Sequence, residues 1–173
     1  MNLQSTDFEL FGVPARFAQE RAALDTRWKE LQREVHPDRF AAEGAAAQRV
    51  AMQWSARINE AYQRLKDPQR RAAYLCELNG APIQAESNTA MPPEFLMQQM
   101  ELREQLDDAS SPEDLEKISR QGSSLQRETL QKIEHQIDVE NDWAAAAQSV
   151  RALMFLDKLA ADIDRRHETL DTH

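Results

Sequence analysis

Apolar residues at Leu24, Trp28, Leu31 and Val35 recur at spacings of four, three and four, and a second series follows at Val50, Trp54, Ile58, Ala61 and Leu65. Such intervals draw a single stripe down each of two helices. Between the two series stands "HPDRFAAEG", residues 36–44. Pro37 has no N–H and disfavours the helical conformation for the residue before it, so the first helix is expected to end by Val35. The second is expected from about Ala45 to Lys66. Two striped helices with a short connection bury their stripes by packing against each other as an antiparallel hairpin.

The rest of the chain reads as helix too. Only four glycines occur in 173 residues, at 12, 44, 80 and 122, and each is read as lying near a break in the pattern. Phe8, Leu10, Phe11 and Val13 predict a short first helix or turn closed by Gly12 and Pro14. In "KDPQRRAAYLCELNG", Asp67 is a good N-cap, Pro68 suits the first helical position and Gly80 ends the element. Residues 80–93, "GAPIQAESNTAMPP", have three prolines and no periodicity. Three helical stretches follow, at about 93–108, 112–139 and 141–168, with "SSPEDLE" and "ENDW" supplying caps for the second and third. Three helices with short connections pack most simply as an antiparallel bundle. The expectation is an all-α chain without strands: residues 1–79 around the hairpin, a linker over 80–92, and a three-helix domain over 93–173.

The net charge of −9 makes nucleic acid or an anionic membrane surface an unexpected partner. Residues 1–80 hold 12 Lys/Arg against 11 Asp/Glu, and residues 81–173 hold 9 against 19, so the acidity belongs to the second half. No apolar run approaches the roughly 20 residues of a membrane helix. The N-terminus lacks the pattern of a signal peptide, and no basic residue precedes Arg16, which argues against a transit peptide. A cytoplasmic, bacterial setting is expected ahead of a processed mitochondrial one. Cys76, the single cysteine, is read as a small buried hydrophobe; it builds no disulfide or thiolate metal site within one chain.

An enzyme needs converging acids, bases or metal ligands. The histidines at 36, 135, 167 and 173 fall on separate elements, and there is no HExxH, no Ser/His/Asp set and no phosphate-cradling glycine loop. His36 and Asp38 lack a third metal ligand nearby. No catalytic residue, metal or cofactor is expected. What the corner does offer is recognition. Pro37 holds His36 and Asp38 on a stiff turn, with Lys29 and Arg33 one turn apart on the face opposite the stripe. Asp38 is suited to accept a charge-assisted hydrogen bond from a partner arginine, while Lys29, Arg33 and Arg39 steer onto an acidic surface.

A helix with a basic outer face, His-Pro-Asp, a longer helix and then "DPQRRAAY" resembles the J-domain, the co-chaperone module of DnaK-type ATPases. Leu65, Asp67, Pro68, Arg71 and Tyr74 stand where that motif places them, and the match covers roughly the first 78 residues. The pieces "LFGVPARF", "EFLMQQMELREQLDD" and "VRALMFLDKL" extend the resemblance over nearly the whole chain to HscB-type J-proteins of iron–sulfur cluster assembly. Val35 precedes the histidine where an aromatic residue is common, and Arg39 replaces the usual lysine while keeping its charge. The resemblance implies an N-terminal J-domain joined to a C-terminal three-helix bundle. It implies binding of an IscU-type iron–sulfur scaffold protein, its delivery to an HscA-type chaperone, and stimulation of that chaperone's ATPase. The alternative is a helical adaptor with a J-like domain serving another client or a general DnaK-type chaperone.

The first helix after the linker has two faces. With Phe95 at 0°, Leu102 falls at about 340°, Leu106 at about 20° and Gln99 at about 40°, a core stripe. Leu96, Met100, Glu104, Met97, Asp108 and Glu101 follow in that order from about 100° to about 240°. One buried face suffices in a bundle, so surplus Leu and Met beside carboxylates predict a docking surface. The resemblance assigns Leu96, Met97, Met100, Glu101, Glu104, Asp108 and Phe155 to binding the scaffold protein. Phe155 is placed off the expected Trp143, Val150 and Met154 stripe of the last helix.

Overall fold

A computed structural model of the chain describes residues 2–84 and 91–171. Among them every regular element is helical and there is no strand, so the architecture is all-α. The chain divides into two compact units, the first ending at Leu75 and the second beginning at Cys76. That division falls earlier than the boundary at 79 read from the sequence. Of the expected linker, residues 85–90 lie outside the described residues. Ile83 is buried, and its carbonyl accepts from Arg151 Nε at 2.9 Å, so this end of the stretch is packed within the second unit.

The first unit starts with α1 (Asp7–Phe11). Thr6 caps it, accepting from the Glu9 N–H at 3.1 Å, and Gly12 ends it at φ +64°, a left-handed conformation that favours glycine. Helices α2 (Arg21–Val35) and α3 (Ala45–Lys66) form the hairpin, and α4 (Pro68–Leu78), which runs past the unit's end at Leu75, follows, with Asp67 Oδ1 accepting from the Gln69 N–H at 3.0 Å. Leu24, Leu31, Ile58, Ala61 and Leu65 face inward as their spacing predicts, sealed by Phe8, Leu10 and Phe11 of α1. Trp28 and Val35 are half-buried.

Polar contacts complete the α2–α3 seam. Trp28 stacks on Tyr62 at 4.9 Å and its indole N–H donates to Asn59 Oδ1 at 2.8 Å. Gln32 bonds Asn59 and accepts from the Ser55 hydroxyl at 2.8 Å. The Tyr62 hydroxyl donates to Asp25 at 2.6 Å and, together with Arg21, holds that carboxyl below its ordinary range.

Val50 is a correction: it is 51% exposed, and Ala51 takes the inward position. The reason is length. α3 has 22 residues against 15 for α2, so its first turns outrun their partner helix. They meet instead Pro37–Glu43, the short connection between the two helices, which winds as 3₁₀ turns without a buried residue.

Asp7 has no exposed surface, and its carboxylate meets Arg57 Nη2 at 2.8 Å and Arg64 Nε at 2.6 Å. Arg57 also donates to the carbonyls of Leu3 and Ser5. The Arg64 guanidinium lies 4.1 Å from the centre of the Tyr74 ring, and the Tyr74 hydroxyl accepts from the Asp7 N–H at 3.0 Å. Asp7 therefore ties α1 to α3 through its carboxylate and to α4 through its N–H.

The second unit holds α5 (Pro93–Asp108), α6 (Pro112–Glu134) and α7 (Trp143–Asp171). Ser111 and Asp142 cap α6 and α7 as expected, and α6 continues through one π-helical turn, His135–Val139. Gly122, read as lying near a break, sits buried inside α6. Leu102, Leu106, Leu115, Ile118, Leu156, Leu159 and Ile163 form the core. On α7 the inward residues include Val150, Leu153 and Leu156, while Trp143 and Met154 are only half-buried, so the expected stripe is rotated.

Removing the Asp7 carboxylate leaves two partly buried guanidinium groups uncompensated. Asp7→Ala is expected to destabilise the first unit by about 3–5 kcal/mol. The exposed neighbour Glu9→Ala should stay within about 0.5 kcal/mol of the parent. Urea unfolding of the full chain, followed by helicity and tryptophan fluorescence, measures both.

Candidate interaction surfaces

The first surface is the corner after α2. His36 caps that helix with extended backbone (φ −57°, ψ 128°), the conformation the following proline favours. Its Nδ1 accepts from the Asp38 N–H at 3.2 Å. Asp38 therefore closes the turn with its N–H rather than its carboxylate. The carboxylate comes no nearer than 3.6 Å to His36 Nδ1, and its side chain is 92% exposed. A carboxylate presented this way is open to a partner's cation.

Lys29 and Arg33 are exposed on α2, and neither forms an ion pair among the described residues. Arg39 behaves differently. Its Nη1 donates to the Arg33 carbonyl at 3.2 Å, capping the end of α2 while the side chain remains exposed. The structure thus brings Arg33, His36, Asp38 and Arg39 to one corner and leaves Lys29 one turn back along the helix.

The second surface is the outer face of α5. Leu96 is 41% exposed, Met97 63% and Met100 64%, against 5% for Leu102 and 6% for Leu106 on the inner stripe. The seven expected residues are not gathered at a single spot. Leu96, Met100 and Glu104 line one shallow groove with Gln99, Arg103 and Asp107. Glu101 lines another with Gln121 and Ser124 of α6, and Asp108 a third with Asp114 and Lys117. Phe155 is half-buried on α7 and meets Phe95 edge-on, with ring centres 5.9 Å apart.

The sequence reading missed Arg103 and Asp107 as lining residues of this groove. It also placed Gln99 with the core stripe, whereas Gln99 is half-buried at the groove's edge. Periodicity names a face, and the groove edges are set by side chains between the faces. Cys76 is buried, and that burial pushes its thiol up to about 11, which keeps it protonated and unreactive at neutral pH. Among the described residues no three of His, Cys, Asp and Glu come together as a metal site, and no helix is long and apolar enough to cross a membrane.

The co-chaperone protein HscB homolog of Burkholderia multivorans is 44% identical over an alignment of 174 residues that covers 99% of this chain and 99% of its own. The chain belongs to the HscB family of co-chaperones. The Bordetella avium HscB homolog is 50% identical over 157 residues, 90% of this chain and 94% of its own. A model described as the HSCB C-terminal oligomerisation domain matches residues 91–164. The solved structure of chaperone HscB from Vibrio cholerae superimposes with a TM-score of 0.82 at 37% identity, covering 96% of this chain and 99% of that one. In this HscB-family chain the first unit is the J-domain and α5–α7 form the C-terminal three-helix bundle.

The two surfaces differ from the core in what mutation should do. His36→Gln and Asp38→Asn are expected to leave the unfolding temperature and helicity unchanged, because an exposed corner contributes no more than about 0.5 kcal/mol. Leu102→Ala should cost about 2–5 kcal/mol through the cavity it opens. Thermal unfolding by circular dichroism separates the two outcomes.

Proposed function

We propose that the chain couples two partners: an HscA-type ATPase chaperone at the His36–Pro37–Asp38 corner and an IscU-type iron–sulfur scaffold protein at the outer face of α5. The observation that carries this reading is the exposure of Leu96, Met97 and Met100 on one face of α5, in a chain whose other unit presents an exposed Asp38 carboxylate beside a helix with a basic outer face. On this reading residues 1–79 act as the J-domain, 80–92 as the connecting segment and 93–173 as the client-binding domain. The setting is the bacterial cytoplasm.

The chain needs no chemistry of its own. A partner's conformational equilibrium shifts only as far as the ligand binds one state better than another. Asp38 supports that kind of discrimination: a fixed carboxylate pairs with a partner arginine only where the partner presents one in register. Lys29, Arg33 and the charge of Arg39 steer the corner toward an acidic surface. At the other site, flexible methionines adapt to an apolar partner surface, and Glu101, Glu104 and Asp108 form a solvated rim. Tethering the two sites raises the effective concentration of the client at the chaperone without any new contact.

Two measurements test this. In the first, ATP turnover by an HscA-type chaperone is followed with parent, His36→Gln or Asp38→Asn. Both variants should lose stimulation while the chain alone turns over nothing. Full stimulation by either variant removes the corner from the mechanism.

In the second, binding of a purified IscU-type scaffold protein is measured after joint replacement of Leu96, Met97 and Met100 by Ala. Apolar anchors at an interface centre commonly contribute about 2 kcal/mol or more each, so binding should be close to abolished while stimulation by the J-domain alone persists. Neutralising Glu101, Glu104 and Asp108 should act mainly on the association rate and flatten its salt dependence.

A further inference from the structure

Arg103 is the only basic residue of α5, set among Glu101, Glu104, Asp107 and Asp108. Left free on the docking face it would oppose the acidic character of its own helix. Instead its Nη1 meets Asp162 Oδ2 of α7 at 2.6 Å, and its guanidinium carbon lies 5.4 Å from the centre of the Phe155 ring. The same ring meets Phe95 of α5 at 88° between planes. Phe155 and Asp162 are two turns apart on α7 and so share a face. Phe95 and Arg103 follow each other in the same direction on α5, so the two helices run parallel and are stitched at two levels. Asp162 also pairs with Arg165, one turn further on.

We propose, resting on the reading of α5 as the scaffold-protein surface, that Arg103 and Asp162 are positioning residues of that surface. The pair locks Phe155 between Arg103 and Phe95, and so sets the angle at which Leu96 and Met100, which line the same groove as Arg103, are presented. The pair is partly exposed, with Arg103 33% and Asp162 18% accessible, and such pairs contribute little to global stability. Its consequence is local geometry. Arg103 holds the Asp162 carboxyl below the ordinary range, so the ion pair persists throughout the neutral range.

The test uses the full chain and a purified IscU-type scaffold protein in titration calorimetry. Arg103→Gln and Asp162→Asn should each weaken binding on the order of tenfold, and the double variant should lose no more than either single, because both remove one shared constraint. Arg103→Lys, which keeps the charge for Asp162, should recover part of the loss. A fluorine label on the Phe155 ring should report the same altered environment in both single variants, with helicity and unfolding temperature unchanged. Additive losses would make the two residues independent partner contacts, and parent-like affinity in both singles would remove them from the site. Either overturns the proposal, as does binding that falls only in step with helicity. The Leu96, Met97 and Met100 triple replacement separates the levels. If it binds normally, the docking face itself is misassigned; if it fails while Arg103→Gln and Asp162→Asn bind normally, only the positioning role is.

Discussion

The J-domain depends on a charge that is out of reach of water. Asp7 sits with no exposed surface between Arg57 and Arg64, and its own N–H donates to Tyr74. A buried carboxylate is costly unless paired and fully bonded, and once paired it is far more demanding of geometry than an apolar contact. Arg57 and Arg64 lie in the later half of α3, so this cluster fixes α1 at the end of the hairpin away from the corner. Phe8 stacks on Tyr74 and Phe11 on Tyr62 only because α1 is held there.

The corner inherits its rigidity from that arrangement. Near Pro37 the hairpin has a thin interior: Leu31 and Ala51 are buried, Val35 and Trp54 only partly, and the 3₁₀ turn buries nothing. Register there is carried by Gln32 with Ser55 and Asn59, polar contacts that work only at one alignment of the two helices. A sealed apolar end and a polar, directional middle leave the Pro37 end small and exposed. The Asp38 side chain can stand exposed because it is not needed for the fold.

How much of this could be read from the sequence follows from the range of each signal. Helix ends were legible because caps are local: Asp67, Ser111 and Asp142 each bond an N–H two or three residues on. Core faces were legible where apolar residues stand out against polar ones, as for Leu24, Ile58, Leu65, Leu102 and Leu106. The reading failed on α7, where Val150, Leu153, Met154, Leu156 and Leu159 allow more than one stripe. It failed on Val50, because a stripe says nothing about where the partner helix stops. Asp7 and the Arg103–Asp162 pair leave no periodic trace at all: their partners are 50 or more residues away, and a buried acid reads like any surface acid until the fold closes over it.

The exposed apolar face of α5 was legible for the opposite reason, that α5 carries more apolar residues than one buried stripe can use. The structure shows what that surplus demands. α5 meets α6 and α7 far less extensively than those two meet each other. Its hold on the bundle comes from Leu102 and Leu106, each contributing about 1.5–3 kcal/mol by burial, from Phe95 against Phe155, and from Arg103 against Asp162. Half of its circumference is withheld from the core so that Leu96, Met97 and Met100 stay outside. A helix with so narrow an anchored side can rock about its axis unless something off the core stripe fixes its rotation. The contacts of Arg103 with Asp162 and with the Phe155 ring lie off that stripe. They let an exposed apolar face keep one orientation, and a face that keeps one orientation binds without first having to be ordered.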